Sequence, residues 1–126
     1  MNEKYFVPFE TAQRLKGAGY PQEVDYTGCV YTLPRGGFYP QLDIDLARRR
    51  SEGEPIAAPT YHEVLSWLEG KGVVVCADKV NGFWYAMLVH TNDYDAWEAS
   101  DIQDSREQAL DYGINWALDY LQKGEI

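Results

Sequence analysis

The chain is short of the residues from which most catalytic and metal sites are built. Its 126 residues include two cysteines, two histidines, two methionines and only 11 basic side chains. Cys29 and Cys76 form no C-x-x-C pair and join no Cys/His cluster, which excludes the common structural zinc patterns. Each lies in an apolar, strand-like run, where a buried free thiol is expected. No apolar run approaches the roughly 20 residues that a bilayer-crossing helix needs. The opening MNEKYFVPFE lacks the basic-then-apolar pattern of a signal peptide, so a cytoplasmic location and no membrane partner are expected. Walker and G-x-G-x-x-G phosphate loops are missing, as is G-x-S-x-G around a nucleophilic serine. There is no internal repeat and no low-complexity tract.

Negative charge and aromatic rings are plentiful. Twenty acids against 11 bases give a net charge of −9. From Thr91 to the end there are nine acids and two bases, Arg106 and Lys123, so this quarter of the chain carries −7. Such a surface repels phosphates, which argues against nucleic acid as a partner. It attracts a basic protein and speeds encounter with one. Ten tyrosines and four tryptophans supply large rings with a polar tip, suited to half-exposed contact surfaces. A hydrophobic content of 45% is enough for the core of a single domain spanning residues 1–126.

The segments read as an α+β domain. Phe9 to Gly19 suits a short helix, with Pro8 at its start and Gly17 and Gly19 as its stop. Val24 to Leu33 alternates and is rich in β-branched and aromatic residues, which predicts a strand. A Pro34–Gly37 turn follows, and Phe38-Tyr39 starts a short return. Gln41 to Ala58 has no clear period and reads as a long irregular loop. Thr60 and Glu63 form a capping box for a helix ended by Gly70 and Gly72. Asn81-Gly82 then joins two strands as a two-residue I′ turn, pairing Val80 with Phe83, Asp78 with Tyr85, Cys76 with Met87 and Val74 with Val89. Both faces of this hairpin are largely apolar, so both are expected to be covered at least in part, one of them by a second chain if the protein dimerises. Thr91 to Asp104 reads as an acidic loop. Ser105 caps a final helix, with Gln108 in the reciprocal position, that runs to about Lys123. The expected order is α-β-(β)-α-β-β-α, with one antiparallel sheet of three or four strands packed by two or three helices.

Each chemically suggestive cluster has a plainer explanation. His62-Glu63 resembles half of a zinc-protease motif, but Ser66 stands where the second histidine belongs, and Glu63 is accounted for by capping. Asp93, Asp95 and Glu98 fail as a calcium loop, because Trp97 and Glu98 occupy the positions that need an oxygen ligand and a glycine. No catalytic residue, cofactor or metal is expected. The strongest contact candidate is the acidic C-terminal stretch with its aromatics: Asp93, Tyr94, Asp95, Trp97, Glu98 and Asp101. The alternative is a small-ligand site, or a minor enzyme site, near the irregular loop, built from Asp43, Asp45, Arg48, Arg49, Arg50 and His62.

Four motifs, FExAxxLKxxGY (Phe9 to Tyr20), APTYxEVLxWLE (Ala58 to Glu69), GFWYxM (Gly82 to Met87) and SREQALxxGIxxAL (Ser105 to Leu118), make the chain similar to a set of small uncharacterised proteins. These occur in gut Bacteroidetes, their phages and integrated elements. The resemblance covers most of the chain except residues 41–58. It implies a phage or mobile-element setting, attaches no activity and carries over no functional residue. The reading is a non-catalytic interaction protein that binds a protein partner, of basic character, through its acidic C-terminal surface. A homodimer is the second association the pattern allows.

Overall fold

The computed structural model describes residues 3–22, 28–90 and 93–124. Among these residues the chain is a mixed α+β protein with four α-helices and two three-stranded antiparallel sheets. Its contacts group into two compact units, Met1–Thr60 and Tyr61–Ile126.

In the first unit, helix α1 (Phe9–Gly17) buries Thr11, Ala12 and Leu15. Strands β1 (Cys29–Tyr31), β2 (Phe38–Tyr39) and β3 (Ile56–Ala58) form a sheet in the order β2-β1-β3. The strand expected over residues 24–33 is observed as Cys29–Tyr31; residues 23–27 lie outside the described residues. Between β2 and β3 the segment expected to be irregular contains a 3-10 turn (Gln41–Asp43), helix α2 (Ile44–Arg50) and β3 itself. Helix α2 hides from a periodicity argument because only Ala47 of its seven residues is buried. Strand β3 hides because all three of its residues are buried, leaving no alternation. Side chains from distant segments close the backbone here. The Gln22 Oε1 accepts from the Ala57 N–H at 3.0 Å, and the Ser51 Oγ accepts from the Leu33 N–H at 2.9 Å. Tyr31 centres an aromatic cluster with Phe9 and Phe38, its ring edge-on to theirs at 5.6 and 5.7 Å.

In the second unit, helix α3 (Tyr61–Gly70) leads into strands β4 (Val73–Val80), β5 (Phe83–His90) and β6 (Asp93–Ala99), and helix α4 (Arg106–Lys123) closes the chain. The sheet order is β4-β5-β6. All four expected hairpin pairs are present, and Asn81 (φ 49°) and Gly82 (φ 84°) both adopt the positive φ that a I′ turn demands. Helix α4 packs on the face carrying Val75, Ala86 and Leu88, and comes so close at Gly113 that a β-carbon there would lie 2.6 Å from the Val75 Cγ1. Strand β6 occupies much of the stretch expected to be an acidic loop. Its acids have low strand propensity, and pairing with β5 overrides them. The register shifts from Val89↔Trp97 to His90↔Asp93, so β6 carries extra residues there as a bulge.

The cap of α4 differs in one detail from the expected box. The Ser105 Oγ accepts from the Gln108 N–H at 3.1 Å, but the Gln108 Oε1 reaches back to the Asp104 N–H, also at 3.1 Å, one residue before the cap. Ser105→Ala removes the first of these bonds. It is expected to lower stability by about 1 kcal/mol, or the melting temperature by about 4 °C, in a far-UV circular dichroism melt. An unchanged melt would show that the cap contributes nothing.

Candidate functional site at the start of the last helix

After β6 the chain is held against β5 by bonds outside the regular ladder. The Ser100 N–H donates to the Ala86 carbonyl at 2.9 Å, and the Ser100 Oγ accepts from the Ala86 N–H at 2.8 Å. Gln103 then bridges Trp84 in both directions, its carbonyl accepting from the Trp84 N–H at 3.0 Å. This clamp sets Gln103 and Asp104 beside the first turns of α4. A shallow groove of about 450 Å³ results, lined by Gln103, Asp104, Gln108, Asp111, Tyr112 and Asn115.

Polar groups along the groove are partly pre-set. The Asn115 Nδ2 donates to the Asp111 carbonyl at 2.9 Å and to the Asp111 Oδ1 at 3.3 Å, which fixes the amide. Tyr112 is 46% exposed and stands edge-on to Trp116, ring centres 6.1 Å apart. Ile102, 57% exposed, and the exposed Asp101 and Asp104 lie on the segment that leads into α4. Carboxylates, amide oxygens and accessible aromatic and aliphatic surface together suit a cationic, partly apolar protein surface. They offer no nucleophile with an adjacent base.

The six residues named from the sequence fare differently. Asp101 is exposed at the edge of this segment. Glu98 turns toward the helix layer, where the Tyr120 hydroxyl donates to its Oε2. Asp93, Tyr94, Asp95 and Trp97 are placed on β6 by their backbone, and their side chains lie outside the described residues. None of the six lines the groove, and sequence reasoning missed all six residues that do: Gln103, Asp104, Gln108, Asp111, Tyr112 and Asn115. Tyr112 carried the available signal, an aromatic at the margin of the polar stripe of α4.

Of the alternative set, Asp43, Asp45, Arg48, Arg49 and Arg50 are all exposed in the first unit, and His62 is exposed on α3 of the second. The Arg48 Nε lies 3.4 Å from the Glu54 Oε1, and the Arg50 Nη1 donates to the Tyr39 hydroxyl at 3.0 Å. These are surface contacts, of the kind worth little energy. Among the described residues no group of three or more His, Cys, Asp or Glu side chains converges as a metal site. No helix among them is long and apolar enough to cross a membrane. Neither Cys29 nor Cys76 is joined in a disulfide. Cys29 is buried as expected, whereas Cys76 is exposed. Partial burial by its neighbours and the charge of Asp78 both push the Cys76 thiol pKa up, so it stays protonated and is a poor nucleophile.

Compared with known proteins, the chain matches no family model, no curated protein and no solved structure.

Proposed function

We propose that the protein is a non-catalytic interaction protein that binds a basic protein partner through the acidic surface around the α4 groove. The single observation that carries the reading is the groove itself: Asp104 and Asp111 flank an accessible Tyr112 within a segment of net charge −7. Long-range attraction by the acids sets the encounter rate, and the ring supplies the desolvated contact that holds the complex. The accessory role in a phage or mobile element belongs to the same proposal and rests on the resemblance of the four motifs. The alternative ligand site near residues 41–58 has no comparable support, since its members in the first unit are all exposed on one short helix and its lead-in.

The test is affinity capture from a bacterial lysate at about 50 and about 300 mM salt, between which the screening length shrinks from about 14 to about 6 Å. Wild-type protein is expected to retain a basic partner at the lower salt and lose it at the higher. The triple variant Asp101→Asn, Asp104→Asn, Tyr112→Ala is expected to bind at least tenfold more weakly with an unchanged melt, because all three positions are exposed. Retention of the same partner by the variant, or the absence of any salt-sensitive partner, overturns the reading.

A further inference from the structure

We infer that the α4 groove is an arginine site, in which a guanidinium presented by the partner lies on the Tyr112 ring and donates to acceptor oxygens along the groove. The inference rests on the reading of the protein as a binder of basic partners, and it names the side chain that anchors one.

Helical spacing gathers the lining. Gln108, Asp111, Tyr112 and Asn115 stand at i, i+3, i+4 and i+7 on α4, so they share one stripe. Gln103 and Asp104 supply the other wall, set there by the bridge to Trp84. Internal bonds then decide which end of two amides is engaged. The Gln103 Nε2 donates to the Asp101 carbonyl at 3.4 Å, and the Asn115 Nδ2 donates to the Asp111 carbonyl at 2.9 Å. With those amino groups engaged, oxygen is what both amides add to the groove. The carboxylates of Asp104 and Asp111 add more, so the lining is mainly acceptor. Arg106, the basic residue of the first turn, stands two positions before Gln108, about 200° round the helix, and so lies off the stripe.

Acceptors in a segment of net charge −7 call for a cation, and the groove discriminates among cations. A metal ion needs several ligands converging on a point, and among the described residues no such group exists. A lysine ammonium is also a compact point charge. Here the acceptors are strung along about 10 Å of helix, from Gln108 to Asn115. A guanidinium spreads five donors in a flat fork, and its plane stacks on an aromatic face. Tyr112, in the middle of the stripe, supplies that face. It is 46% exposed and its ring is tilted 70° from Trp116, which therefore covers one face at most. A sugar also stacks on rings, but its hydroxyls accept as well as donate, and a mainly acceptor lining returns them few donors.

Two peptides of equal charge, KKRKK and KKKKK, test this by fluorescence anisotropy with the full chain at about 50 mM salt, where surface charges are weakly screened. KKRKK is expected to bind roughly three- to fivefold tighter, the factor that a cation–π contact at an exposed ring carries. Tyr112→Phe should keep that preference, because the ring remains, and Tyr112→Ala should abolish it. Neither change should move the melt, since the side chain is exposed. Glu69→Gln, which removes an exposed acid of α3 outside the groove, should weaken both peptides equally and leave the preference standing. In NMR spectra the side-chain amide signals of Gln103 and Asn115 should move further with KKRKK than with KKKKK. Equal affinities, a preference that survives Tyr112→Ala, or amide signals that respond alike to both peptides overturns the inference. The partner reading fails separately. A lysate that yields no salt-sensitive basic partner strikes that reading even where the peptide preference stands, and a captured partner beside equal peptide affinities strikes the arginine site alone.

Discussion

Gly113→Val is expected to destabilise the second unit by about 3 kcal/mol, near the upper end of the overpacking range. A β-carbon at this position meets the Val75 Cγ1 at 2.6 Å and the Ala86 Cβ at 3.1 Å. Neither can swing aside. Val75 is β-branched and held in the β4–β5 ladder opposite Leu88, and the methyl of Ala86 has no torsion that moves its carbon. Helix α4 must then lift off the sheet, opening contacts along Leu110, Ile114 and Leu118, each at most 2% exposed. Gly113→Ala separates the terms. It gains about 1 kcal/mol of helix propensity and suffers the same β-carbon clash, so a smaller net loss is expected. Adding Val75→Ala to Gly113→Ala removes the clashing methyl, so the pair should show a favourable coupling of about 1 kcal/mol. Urea titration followed by tryptophan fluorescence reads this unit directly, because Trp67, Trp84, Trp97 and Trp116 all belong to it. A Gly113→Val midpoint equal to wild type would mean that the close approach is not a feature of the folded protein.

Legibility of the fold followed how locally each signal was encoded. The hairpin register was readable because Asn81-Gly82 fixes the turn, and the turn fixes every pair behind it. Helix α4 was readable because its Ser105 cap and its period agree. Helix α2 and strand β3 were not, since one buried alanine and three uniformly buried residues carry no period. The hairpin was seen to have two apolar faces, but not which of them α4 covers. That choice left Cys76 exposed where burial was expected. The groove was the least legible feature. It depends on Gln103 bridging Trp84, a pairing between residues far apart in sequence that no local pattern announces.

In the first unit the largest expected effect is at Tyr31, 7% exposed, where removal of the ring leaves a hole between Phe9 and Phe38. Tyr31→Ala is expected to lower stability by about 4 kcal/mol, within the range for deleting a buried aromatic. Two effects combine in that figure, and Tyr31→Phe divides them. The phenol donates to the carbonyl of Val7, a residue with no exposed surface. Phenylalanine keeps the ring contacts and removes the donor, so the cost is that of an acceptor buried without this bond, about 1–2 kcal/mol. The difference between the two variants, about 2–3 kcal/mol, measures the ring against its edge-to-face neighbours. The first unit contains no tryptophan, so far-UV circular dichroism in urea is the probe, with hydrogen exchange at the β1 amides as the local readout. If Tyr31→Phe proves as damaging as Tyr31→Ala, the hydrogen bond to Val7 organises this unit and the aromatic cluster follows from it. If Tyr31→Phe is neutral, packing alone does so, and the hydroxyl is merely accommodated.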